Sequence, residues 1–117
     1  MSYSFTKRDR ILRQGDFDRV HRSKYFAADD MIVVKATSNQ LPNSRLGLAI
    51  SRQVGNAVIR NRWKRVIRSA FRLSRDRIPT GMDLVVRPRK GAKVNFARVQ
   101  ESLIVLSRRL HRKITAS

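Results

Sequence analysis

Apolar residues recur along the chain in two rhythms, and the switches between them set the expected elements. Phe17 and Val20, with His21 beside them, fall on one face at i, i+3 and i+4 spacing, which predicts a short helix over residues 16–23 opened by Gly15 and Asp16. Three strands follow: a short one at 25–27, a Val- and Ile-rich one at 31–37, and one at 45–51 after a loop containing Asn39, Pro42 and Asn43. In the third, Leu46, Leu48 and Ile50 point one way and Gly47, Ala49 and Ser51 the other. A face of small side chains admits close approach by another body, either a packed helix or RNA. Gly55 and Asn56 supply a break and an N-cap for a long helix over 57–75, and Pro79, Thr80 and Gly81 end that unit. A further strand at 82–87 is closed by Pro88 and Gly91. Asn95 caps a last helix over 96–112, with Phe96, Val99, Leu103, Leu106 and Leu110 as its apolar stripe. The order α-β-β-β-α-β-α predicts an α+β fold, one sheet with helices packed on it. The whole of 1–117 reads as a single domain, with residues 1–13, polar and basic, as a flexible arm.

The long central helix divides sharply. At about 100° per residue and with Ile59 at zero, Trp63, Val66, Ile67, Ala70 and Phe71 fall between about −20° and +120°. Lys64, Arg65, Arg68, Arg72 and Arg75 fall between about 140° and 240°, with Asn61 among them and Arg60 and Arg62 at the flanks. From Arg52 to Arg77 there are nine basic residues and one acid, Asp76. A face built only for solvation interleaves Glu with Lys. Here like charges stand at 64/68, 68/72 and 65/68, which destabilises an isolated helix by roughly 0.2–0.5 kcal/mol per pair. Binding to phosphate recovers that cost, and the preference for Arg suits it, because guanidinium offers a fork of donors and can stack on bases.

Net charge extends the same reading to the whole chain. Lys and Arg number 27 against 8 acids, a formal +19. Solubility needs a net charge of only roughly 2–8 in a small domain, so a polyanionic partner is the natural explanation. Cys is absent, which excludes disulfides and thiolate metal sites and suits a reducing compartment. The basic N-terminus is followed by no apolar signal region, and apolar runs such as 31–34 are far too short to span a bilayer, so the expected location is cytoplasmic, with no membrane partner.

The stretch 52–68, Arg-Gln-Val-Gly-Asn-Ala-Val-Ile-Arg-Asn-Arg-Trp-Lys-Arg-Val-Ile-Arg, resembles the Arg-Asn-Arg signature of the bacterial ribonuclease P protein family. Gly15-Asp16-Phe17, the strand at 45–51 and Asp83-Leu84-Val85-Val86 extend the resemblance over most of the chain. It implies an α/β sandwich like the second domain of ribosomal protein S5, with a left-handed β-α-β crossover around the signature helix. It also implies a protein subunit that supports a catalytic RNA in the magnesium-dependent removal of the 5′ leader from precursor tRNA, with Mg2+ held mainly by the RNA subunit and substrate. The implied partners are that RNA and precursor tRNA, with no small-molecule substrate.

By the family's pattern Arg60, Asn61, Arg62, Lys64, Arg65 and Arg68 meet the catalytic RNA, with Arg52 in the family's basic slot just upstream; Arg72 joins these RNA contacts from its place in the cationic arc of the helix. Gln53 departs where a second basic residue is common. Trp63 takes a slot often filled by an aliphatic residue, and its place in the apolar arc assigns it to the core. The family's leader cleft lies between the first helix and the sheet. Phe17 matches an aromatic position there, to be read either as a stacking platform or as the core anchor of its helix. His21 stands where other members place an aromatic; it is either a leader contact or an ordinary surface histidine. Lys35 also falls where an aromatic is seen, which puts a phosphate contact in place of stacking. Arg89 and Lys90, in the run after the last strand, are further phosphate candidates or simply a charged loop.

Two rivals stand beside this reading. A protein-only nuclease needs clustered carboxylates or a positioned His or Glu; the chain offers Asp16 with Asp18 and Asp29 with Asp30, the latter reading as a turn between strands. A small basic ribosomal protein binding rRNA has the same composition, and only the 52–68 signature separates the two.

Overall fold

The computed structural model describes residues 5–117 and contains α1 (Gln14–His21), β1 (Phe26–Ala28), β2 (Ile32–Ser38), β3 (Arg45–Leu48), α2 (Ala57–Leu73), β4 (Met82–Pro88) and α3 (Phe96–Ala116). Short 3₁₀ turns stand at Lys7–Asp9, Arg52–Val54 and Arg75–Arg77. The α-β-β-β-α-β-α order is the expected one. The strands form one sheet in the order β1-β2-β4-β3, antiparallel except for the β3–β4 pair. Parallel neighbours need a crossover, and α2 provides it.

Alternation gives the sheet two different faces. Ala27, Ile32, Val34, Ala36, Leu46, Leu84 and Val86 point to one side, where Trp63, Ile67, Ala70 and Phe71 of α2 and Val99, Leu103, Leu106 and Leu110 of α3 complete the main core. The other side carries a smaller cluster in which Val85 meets Val20 of α1 and Ile11, with Phe17 and Ala49 packed against it. Trp63 is 1 % exposed, which settles it as a core residue. Gly47 is approached by a helix, as the run of small side chains allowed: a Cβ there would stand 2.6 Å from Cε1 of the Phe17 ring.

Asn56 and Asn95 are the N-caps expected, their side-chain oxygens accepting from the amides of Ile59 and Arg98 at 3.0 Å each. Other boundaries move. Helix α1 starts at Gln14 rather than 16, because the Asp16 and Phe17 amides already bond to the Arg13 carbonyl. Strand β3 ends at Leu48 rather than 51, where the chain turns into Arg52–Val54. Helix α2 ends at Leu73; Arg75 leaves the helix for an ion pair with buried Asp9 at 2.7 Å. Helix α3 runs on to Ala116, with Ile114 packed against the core. Two residues expected in apolar stripes, Ile59 and Phe96, are 40 % and 37 % exposed, since each lies in the first turn of its helix beyond the edge of the core.

The expected flexible arm is a packed segment from residue 5 onward; residues 1–4 lie outside the described residues. Phe5 sits edge-on to Phe71 with ring centroids 6.0 Å apart. Arg10 bridges in parallel to Leu46 at the edge of β3, and the Ile11 amide donates to the Leu46 carbonyl at 3.0 Å. Ile11 and Asp9 are both buried. The contacts that fasten this segment to the domain, with Phe71, Leu46 and Arg75, are distant in sequence.

Candidate nucleic-acid interface

Helix α2 is anchored to the core through Trp63, Ile67, Ala70 and Phe71, and this anchoring turns its opposite side outward. Asn61, Arg62, Arg65 and Arg68 are exposed, while Arg60, Lys64 and Arg72 are half-buried. Among the described residues none of these six cations forms an ion pair with a carboxylate. Arg60 uses one donor locally, Nη1 to the Gly55 carbonyl at 3.2 Å, which braces the turn before the helix. Arg52 is exposed in the 3₁₀ turn that leads into α2. The expected contact residues therefore form one cationic ridge with Arg52 at its foot.

The acids stand elsewhere. Asp83 lies under α1 against Arg19 and Arg45, Asp9 against Arg75, and Asp30 against Arg98. Asp29 makes the turn between β1 and β2, its Oδ1 accepting from the amides of Met31 and Ile32 at 2.8 and 3.0 Å. Burial pushes the Asp29 carboxyl up, but hydrogen bonds from Ser102, Ile32 and Met31, with the Arg98 charge, outweigh it and hold it below its ordinary range. No group of three or more His, Asp or Glu among the described residues is placed to hold a metal.

Helix α1 covers only part of the outer sheet face, and the rest is an open trough. One section, about 190 Å³, is lined by His21, Val33, Lys35, Ala49, Val85 and Arg87. The adjoining section, about 620 Å³, shares Val33, Ala49 and Arg87 and continues to Arg89 and Lys90 on one wall and Gln53 and Val54 on the other. Strand register explains the gathering: Lys35 pairs with Val85 and Val33 with Arg87, and all four point to the outer face. His21, Lys35, Arg89 and Lys90 are thus brought together along one channel with an apolar floor and cationic walls. Lys35 Nζ also donates to the His21 carbonyl at 2.5 Å, tying the trough to the end of α1.

Phe17 is not part of that channel. Its half-buried ring lies over Gly47 and lines a separate cleft beside β3, with Phe5, Arg10, Lys64 and Arg68. Sequence reasoning missed Phe26, 58 % exposed on β1 in register with Lys35, and the Arg19–Asp83–Arg45 pairing that fastens α1. An aspartate within the apolar run at 82–86 was the available sign of the latter.

Known proteins share this chain's sequence and architecture. The family model described as Ribonuclease P matches residues 5–111. The ribonuclease P protein component of Thermotoga petrophila is 37 % identical over 115 residues, covering 94 % of this chain and 98 % of that one. That of Bacillus cereus is 36 % identical over 111 residues, 93 % of each. The solved ribonuclease P protein of Thermotoga maritima superposes with a TM-score of 0.77 at 34 % identity, covering 85 % of this chain and 96 % of that one. The Staphylococcus aureus protein gives 0.72 at 31 %, covering 90 % and 94 %. No helix is long and apolar enough to cross a membrane among the described residues. A match over nearly the whole length, with the same fold, decides against the ribosomal reading: the chain belongs to the ribonuclease P protein family.

Proposed function

We propose that this chain is the protein subunit that binds the catalytic RNA of ribonuclease P through the α2 ridge and the 5′ leader of precursor tRNA through the outer-face trough. The observation that carries this reading is the ridge itself, Arg62, Arg65, Arg68 and Arg72 with Lys64 between them, turned outward by a buried Trp63–Ile67–Phe71 stripe and without carboxylate partners among the described residues. Forked guanidinium donors on a rigid rod meet phosphate oxygens at fixed spacing, which positions a folded RNA without reading its bases.

The trough suits a single strand. Its cations track a backbone, and its floor of Val33, Ala49 and Val85 offers few hydrogen-bonding groups to a base edge, so it accepts leaders of many sequences. The chemistry of phosphodiester cleavage belongs in this reading to the RNA, with Mg2+ held by RNA phosphates and substrate. This chain's share is to neutralise phosphates, hold the leader and so bring the cleavage site into register. The test is reconstitution with ribonuclease P RNA and measurement of precursor tRNA cleavage at low magnesium. Protein should restore 5′ cleavage where RNA alone is slow, and protein without RNA should leave the precursor intact. No stimulation at any magnesium concentration would overturn the proposal.

A further inference from the structure

Phe26 is the most exposed aromatic side chain among the described residues, 58 % open to solvent, and it stands on β1, an edge strand. Strand register fixes the side it faces. Ala27 points into the main core, so Phe26 points to the outer face, where its partner across β1 and β2 is Lys35 of the trough. The neighbouring Tyr25–Ala36 pair is a hydrogen-bonded one, the Ala36 amide donating to the Tyr25 carbonyl at 3.1 Å. Phe26 and Lys35 therefore form the alternate kind of pair, whose Cα atoms approach to about 4.5 Å and whose side chains lie closer. Helix α1 packs on β2 and β4, and Lys35 Nζ reaches it at the His21 carbonyl. The phenyl ring thus adds one more strand to the floor of the trough.

The trough also has a direction. Its opposite end is walled by Gln53 and Val54, next to Arg52 at the foot of the α2 ridge. With the catalytic RNA along that ridge, the bond to be cut lies at the Gln53 end, and the leader runs from there toward Lys35. Phe26 stands beyond Lys35 on that path. No carboxylate lines either section of the trough, which suits a polyanion. A ring beside a row of cations takes the face of a base while the cations hold the backbone, and such stacking tolerates any sequence. We propose that Phe26 is the distal leader contact: a base upstream of the nucleotides held by Arg89, Lys90 and Lys35 stacks on its ring. The inference rests on the proposed function and adds an order of contacts along the leader.

The test is equilibrium binding of precursor tRNA with leaders of graded length to holoenzyme carrying wild-type protein, Phe26→Ala, Phe26→Tyr or Lys35→Ala. Each protein is first checked for an unchanged melting midpoint. Phe26→Ala should lower affinity at least about fivefold, the lower end of what one base stack contributes. The loss should appear only above a threshold leader length, longer than the threshold for Arg89→Ala with Lys90→Ala. Phe26→Tyr, which keeps the ring, should bind as wild type, and mature tRNA should bind all four proteins alike. An abasic site moved along the leader should weaken wild-type binding at one distal position and have no effect there in Phe26→Ala. Wild-type affinity of Phe26→Ala for the longest leader, with Lys35→Ala weakened, overturns the inference and leaves the proposed function standing. A loss that extends to mature tRNA overturns it too. If Phe26→Ala does not fold, silence at every distal abasic position in wild type overturns it. Should neither Phe26→Ala nor Lys35→Ala respond to leader length, the proposed leader path falls as well.

Discussion

Arg45 grips the carboxylate of Asp83 with two hydrogen bonds, Nε to Oδ1 at 2.8 Å and Nη2 to Oδ2 at 2.6 Å. Asp83 is fully buried, and Arg19 of α1 and the Asn39 amide complete its shell at 2.8 and 2.9 Å. Donating to Asp83 also raises the Arg45 guanidinium above its ordinary value, against a smaller opposing effect of burial. One carboxylate thereby joins β3, β4 and α1, and it fixes the helix that forms one bank of the trough.

Asp83→Ala removes the buried anion that two guanidinium groups share and leaves them only the more exposed Asp16, 3.5 Å from Arg19 and 3.4 Å from Arg45. Removing one partner of a buried pair costs about 3–5 kcal/mol; the lower end applies here, since Arg19 is partly exposed. Urea denaturation should show a loss of about 3 kcal/mol, against less than about 0.5 kcal/mol for exposed Asp76→Ala.

Two glycines should respond to alanine with opposite signs. At Gly47 the new methyl meets the Phe17 ring at 2.6 Å, so α1 must shift, at a cost of about 1–3 kcal/mol. At Gly15, inside α1, nothing lies within 4 Å of the new methyl, and stability should rise by about 0.4–1 kcal/mol. Paired thermal melts check both.

Much of this was legible along the chain because it is local. The stripes of α2 and α3, the Asn caps and the Gly47 face follow from spacings within one element, and Trp63 declared itself by its place in the apolar arc. What was not legible depends on contacts distant in sequence. Asp9 is buried because Arg75 reaches it across 66 residues, and Ile11 because Leu46 accepts its amide, so residues 5–13 read as an arm and are in fact packed. The trough needed strand register to bring Lys35 beside Val85 and Val33 beside Arg87. Phe17 had two readings in sequence, and only the position of Gly47 beneath it placed the ring.

Asp29 carries the acid sensitivity of the β1–β2 turn. Its folded carboxyl titrates below the ordinary value of 3.8 that the unfolded chain shows, so its contribution is complete above that value and is lost as pH falls through the lower folded value. Asp29→Asn should therefore be less stable than wild type at neutral pH, and the two should converge in the acid range below 3.8, as denaturation series at stepped pH can show.

Lys35→Ala and the pair Arg89→Ala with Lys90→Ala should weaken binding of precursor tRNA to the holoenzyme in proportion to leader length. They should leave affinity for mature tRNA and for the RNA subunit unchanged. Equilibrium binding with precursors of graded leader length checks this; equal losses on mature tRNA would place these residues outside a leader path.

The opposed faces of α2 offer the most direct measurement, the salt dependence of affinity for ribonuclease P RNA in wild type, in Arg65→Ala with Arg68→Ala, and in Ile67→Ala. The double variant should stay folded and lower the magnitude of the log K against log salt slope by about 0.7–0.9 for each phosphate contact removed. Ile67→Ala should instead destabilise the fold by about 2–5 kcal/mol. A folded double variant with wild-type affinity and slope would contradict the assignment of this ridge to RNA.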